Sequence, residues 1–129
     1  MANELVLIVE DNEKNRKLAR DVLQAKGYRT AETDNAEEGI RMARESRPSL
    51  ILMDLHLPGI DGIEALGRLR SDPQTQSIPV IAVTASVMTE DNRKIAAAGF
   101  DGLQTKPIHL KDFVQAVGDA IARTGDKTA

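Results

Sequence analysis

Cysteine and tryptophan are missing from this chain, and its aromatic residues are only Tyr28, Phe100 and Phe113. Without cysteine there is no disulfide framework, no thiolate nucleophile and no sulfur-ligated zinc. His56 and His109 are the only imidazoles, too few for a histidine-rich zinc centre. The net charge of −3 gives no general attraction for nucleic acid or an anionic membrane. No apolar run approaches the roughly 20 residues that span a bilayer. The start, Met-Ala-Asn-Glu, lacks the charged and long apolar regions of a signal peptide, which makes the cytoplasm the default compartment.

What is present is the composition of a soluble globular domain: 129 residues, 41% apolar and 29% charged. Short apolar runs alternate with segments of helical period, the pattern of a parallel sheet covered by helices on both faces. The first run is Leu5 to Val9. Asn12 then caps a helix with Ala19, Val22, Leu23 and the Lys26 stem on one side, and Gly27 stops it. Tyr28 to Glu32 reads as a second strand. Asp34 or Asn35 caps a helix carrying Ala36, Gly39, Ile40 and Ala43 that ends near Pro48. Leu50 to Met53 is uninterrupted and apolar, as a central parallel strand should be. The Leu57-Pro58-Gly59 turn leads to a third helix with Ile63, Leu66 and Leu69 inward, ending before Pro73. Val80 to Val83 is the fourth strand, followed by a helix with Ile95 and Ala98 that ends at Gly99. Gly102 to Thr105 is a weaker fifth strand. In the last helix Leu110, Phe113, Val114, Val117 and Ile121 form one stripe. The expectation is a single α/β domain of five βα units, with its core over residues 5–122 and a frayed polar tail over 123–129.

The polar residues fall at the ends of these runs. Glu10-Asp11 closes the first, Asp54 the third, Thr84 the fourth, and Lys106-Pro107 follows the fifth. Ligands of open parallel sheets bind beyond the carboxyl ends of the strands. Three carboxylates, a hydroxyl and an ammonium there suit a hard divalent cation such as Mg²⁺ and a phosphoryl group. A carboxylate can serve as the nucleophile and become an acyl phosphate, and Asp54, at the end of the most buried run, is the best placed. Each group has a plainer alternative: Asp11 as a helix cap, Asp54 as a turn residue, Thr84 as a helix start and Lys106 as an exposed turn. Four such coincidences in order at one edge favour the site.

The segments Val-Glu-Asp-Asn (9–12), Leu-Met-Asp-Leu-His-Leu-Pro-Gly-Ile-Asp-Gly (52–62), Val-Thr-Ala (83–85) and Thr-Lys-Pro-Ile (105–108) together resemble the receiver domain of bacterial response regulators. The resemblance runs from Val6 to about Ile121. Val-Leu-Ile-Val-Glu-Asp-Asn-Glu-Lys-Asn (6–15), with Lys-Leu at 17–18 and Gly-Tyr at 27–28, looks most like the stand-alone cell-division regulators of the DivK type. The resemblance implies a doubly wound, flavodoxin-like or CheY-like sheet of strand order 2-1-3-4-5. It implies that Asp54 accepts a phosphoryl group from phosphohistidine on a histidine kinase or histidine phosphotransfer protein. Mg²⁺ would be held by Asp11, Asp54, the His56 backbone carbonyl and, largely through water, Glu10. Thr84 and Lys106 would hold phosphoryl oxygens, the Lys106-Pro107 bond would be cis, and His56 would lie beside the path of hydrolytic water. The family is a self-modifying and self-dephosphorylating switch rather than an enzyme acting on other substrates. Its donor would dock near Asn12, Lys14, Asn15 and Leu18, with Pro107 and Ile108.

One residue departs from the family pattern: Leu103 stands where an aromatic usually occurs, three positions before the lysine. The expected readout therefore shifts to loop and helix movement around Val87 to Ala98. The family's usual output surface maps to Arg93, Lys94, Leu103 and Lys111. With no DNA-binding or enzymatic segment after the last helix, output by protein contact or onward phosphotransfer is expected. Rival readings fit less well. A haloacid-dehalogenase-type phosphatase wants an acid at position 56, a flavin module wants a Ser/Thr/Gly loop at 10–12, and a scaffold pseudo-receiver would not need the full acid set.

Overall fold

Parallel pairing joins the apolar runs into one five-stranded sheet. In the computed structural model, residues 4–55, 57, 59–60, 62–84, 98–105 and 110–128 are described, with the side chains of 105, 110 and 123–128 left out. The elements are β1 (Leu5–Val9), α1 (Glu13–Ala25), β2 (Arg29–Thr33), α2 (Ala36–Ser46), β3 (Leu50–Asp54), α3 (Gly62–Arg70), β4 (Val80–Thr84), β5 (Gly102–Thr105) and α4 (Leu110–Thr128). All strand pairs are parallel, in the order β2-β1-β3-β4-β5. This is the expected doubly wound, CheY-like fold.

Alternation along the strands divides the core into two layers. Leu7, Val9, Ile51 and Met53 meet Ala36, Ile40 and Ala43 of α2 and Ala65, Leu66 and Leu69 of α3. Val6, Ile8, Leu50 and Leu52 meet Ala19 and Leu23 of α1 and Phe113, Val117 and Ala120 of α4. Phe113 is fully buried, and burying a side chain of that size is worth roughly 1.5–3 kcal/mol over leaving it in water. β3 and β4 are buried along their whole length, because each has a neighbouring strand on both sides and helices on both faces.

The helix starts follow the expected chemistry. Asn12 accepts from the Asn15 N–H at 3.0 Å, and Asn35, rather than Asp34, accepts from Glu38 N–H at 2.8 Å. Gly27 ends the turn after α1 at φ 92, a conformation that costs glycine little.

Several boundaries and faces differ from expectation. β2 begins at Arg29 rather than Tyr28, since Arg29 N–H is drawn to the Glu4 carbonyl at 3.0 Å. Ile63 is 40% exposed, because the start of α3 turns Gly62 and Ala65 toward the sheet instead. Lys26 lies at the exposed C-terminal cap of α1, past its buried side. The backbone of α4 remains helical to Thr128, through residues read as a tail. The helix expected to carry Ile95 falls mainly outside the described residues, although Ala98 is helical and Gly99 follows at φ 99.

Candidate functional site

Strand register brings the acids together. Val9 is opposite Met53 and Asp54 is opposite Val83, so Glu10, Asp11, Asp54 and Thr84 all fall at the carboxyl edge of three adjacent strands. Glu10, Asp11 and Asp54 each offer an oxygen, and these atoms lie within 4.8 Å of one another. Asp54 is 2% and Glu10 5% exposed, while Asp11 faces solvent. Thr84, buried at the end of β4, is in register with Thr105, the residue before Lys106.

The backbone around these acids is held from several directions. Glu10 N–H donates to the Thr33 carbonyl at 3.0 Å, which ties the acid loop to β2. Asn12 N–H donates to Glu10 Oε2 at 3.1 Å, which orients the carboxylate from the start of α1. Leu55 N–H donates to the Val83 carbonyl at 3.1 Å, and Gly62 N–H to the Leu55 carbonyl at 3.3 Å. A β-carbon on Gly62 would lie 2.8 Å from Leu55 Cδ2 and 2.9 Å from the Asp54 carbonyl oxygen. The start of α3 thus packs directly on the backbone that carries Asp54.

Ionised carboxylates with oxygens within 4.8 Å of one another repel by roughly 3–4 kcal/mol or more at an effective dielectric of about 20. A trio of this kind calls for positive charge. The donor set is oxygen only and small in number, which fits Mg²⁺, a hard ion that keeps several of its waters. The chemistry of the site is therefore compatible with that cation.

A feature not anticipated from the sequence borders the trio. Arg16 donates from Nη1 to the Glu10 carbonyl at 3.0 Å and from Nε to Glu32 Oε2 at 2.9 Å. Arg20 Nη1 reaches Glu32 Oε1, also at 2.9 Å. Burial pushes the Glu32 carboxyl up, but the hydrogen bonds and charges of Arg20 and Arg16 outweigh it and hold the carboxyl below its usual range. Arg16 and Glu32 lie on different elements, α1 and β2, so no local sequence pattern marks their pairing.

Of the residues expected at the site, the structure brings together Glu10, Asp11 and Asp54, and sets Thr84 at the end of the strand next to Asp54's. His56, Lys106, Pro107 and Ile108 lie outside the described residues. Asn12, Lys14 and Leu18 are exposed on or beside α1 and Asn15 is half-buried. Leu18 is 40% exposed, in keeping with a place on an accessible face of α1. Leu103 is partly buried against Leu55 and Ala82, beside Phe100. Lys111 is exposed, whereas Arg93, Lys94 and the Val87–Ala97 stretch of the expected readout fall outside the described residues.

A family model for the response regulator receiver domain matches residues 6–118. The chain is 45% identical over 119 residues to the polar-differentiation response regulator DivK of Brucella anthropi, covering 89% of this chain and 97% of that protein. The receiver domain of a sensor histidine kinase from Pseudomonas aeruginosa, described with a magnesium ion coordinated in its active-site cleft, superposes with a TM-score of 0.87. It is 29% identical, over 94% of this chain and 99% of that one. The receiver domain of Francisella response regulator 1452 gives a TM-score of 0.87 at 26% identity, over 95% and 99% of the two chains. Fold, acid cluster and similarity agree, and the chain belongs to the response regulator receiver domain family, the phosphorylation-dependent switches of two-component signalling.

Proposed function

We propose that Asp54 is the phosphoacceptor of this switch and that Glu10, Asp11 and Asp54, with the His56 backbone carbonyl, hold Mg²⁺. The observation that carries the reading is the approach of three carboxylate oxygens to within 4.8 Å, one of them from a buried aspartate at the end of a central strand. An ionised Asp54 oxygen attacks the phosphorus of a phosphohistidine already protonated on its other ring nitrogen; the N–P bond breaks as the O–P bond forms, its electron pair stays on nitrogen, and neutral imidazole leaves. The product is an acyl phosphate. When bound, the cation supplies charge neutralisation to the phosphoryl oxygens. Thr84 donates its hydroxyl to one such oxygen and Lys106 pairs with another. Asp54 is desolvated and the Leu55 backbone that follows it is tied to Val83 and Gly62, which limits the motion lost on reaching the in-line geometry. Hydrolysis of the acyl phosphate within the same site resets the switch.

The donor is a histidine kinase or phosphotransfer protein that docks on Asn12, Lys14, Asn15 and Leu18, together with Pro107 and Ile108. A downstream protein reads the phosphorylated state, the similarity to a polar-differentiation response regulator supports a stand-alone regulator of the DivK type, and the cytoplasm is the proposed compartment. No helix among the described residues is long and apolar enough to cross a membrane.

Incubation with acetyl phosphate and Mg²⁺, followed by intact mass measurement, tests the reading. A single phosphoryl adduct is expected in the native protein, lost on chelation and absent in Asp54→Asn. Equal labelling of Asp54→Asn would overturn it.

A further inference from the structure

The Glu10–Asp11 peptide joins two of the three acids, and its orientation is set by contacts on either side. The Glu10 N–H is fixed by the Thr33 carbonyl. On the other side, the Glu10 carbonyl accepts from Arg16 Nη1 at 3.0 Å. A peptide is planar, so fixing that carbonyl fixes the plane from which the Asp11 backbone departs. Asp11 is exposed, so the peptide before it carries much of its positioning. Arg16 is in turn oriented by Glu32, which also takes a hydrogen bond from Arg20.

From this network we infer that Arg16 is a positioning residue for the cation site: Glu32 holds its guanidinium so that Nη1 presets the Glu10–Asp11 peptide for metal capture. The inference rests on the proposed binding of Mg²⁺ by the acid trio. Two effects of removing Arg16 oppose each other. Losing a cation beside a cation site tightens binding through charge alone. Arg16, however, is partly neutralised by Glu32, which it shares with Arg20, and the loss of orientation is expected to outweigh the gain from charge. A lysine cannot replace it, since an ammonium lacks the planar fork that serves both acceptors in one pose.

Magnesium titration of the full chain, followed through the amide signals of Glu10, Asp11 and Asp54, tests the inference. Loss of a group that orients a ligand typically costs about 10- to 100-fold in metal affinity, and Arg16→Ala is expected near the lower end. Glu32→Gln should weaken binding in the same direction by less. The double variant should match Arg16→Ala, because Glu32 acts through Arg16. Native protein without a saturable shift would defeat the metal reading itself. Native binding with Arg16→Ala unchanged or tighter would overturn the inference and leave the metal reading standing. A urea midpoint measured without magnesium separates a merely structural role: a lowered midpoint with unchanged magnesium affinity in Arg16→Ala also overturns it. Glu32→Gln, which preserves size and an acceptor oxygen, supplies the same test should Arg16→Ala fold poorly.

Discussion

Gly62 has no room for a methyl group, and the atoms that would meet it belong to Asp54 and Leu55. At 2.8 Å from Leu55 Cδ2 and 2.9 Å from the Asp54 carbonyl, a β-carbon forces the backbone after β3 to move. Gly62→Ala should therefore cost about 1–3 kcal/mol in urea unfolding, the usual range for overpacking. It should also slow labelling of Asp54. A variant with a native midpoint would show that the Asp54–Leu55 backbone yields freely. The acids themselves were legible in the sequence because each follows an apolar strand, and parallel register turns strand ends into one edge. Arg16 was not, because its partners are Glu32 and a backbone carbonyl. No local periodicity records a reach from α1 to the end of β2.

For the elements, legibility followed burial. β3 and β4 were read nearly to their ends because they are apolar on both faces, and α2 because its buried positions keep a helical period. α3 is a short amphipathic helix, so a one-residue change in which side faces the sheet exposes Ile63 and buries Ala65. The backbone of α4 runs on to Thr128 through polar residues, since a helix can continue past the end of its buried stripe. α1 carries a functional consequence. Its inner side packs on the sheet through Ala19 and Leu23, while Leu18 of the same helix is left 40% exposed. Leu18→Ala and Asn15→Ala should slow phosphotransfer from a protein donor several-fold and leave labelling by acetyl phosphate unchanged. Equal loss with both donors would place the defect in the site instead of the docking face.

Taken as a whole, the molecule couples its acid site to its ion pairs, and pH exposes the coupling. Glu32 in the folded protein ionises below its ordinary 4.5, so its pairing stabilises the native state fully above that value. The contribution is lost as pH falls through the lower folded value. The stability gap between native protein and Glu32→Gln should hold steady above about pH 5 and close in more acid solution. A gap that persists or widens under acid would rule out Glu32 ion pairing as its source. Asp72, held down by the Gln74 N–H and by Arg44, adds to the same acid limb. The central claim, though, concerns where a phosphoryl group becomes covalently attached on this fold. Its most direct measurement is borohydride reduction of the labelled protein followed by peptide mapping, which converts an aspartyl phosphate into a stable, locatable mark. That mark is expected at Asp54 alone and only with magnesium present. A mark at Glu10, Asp11 or any other acid, or none at Asp54, would contradict it.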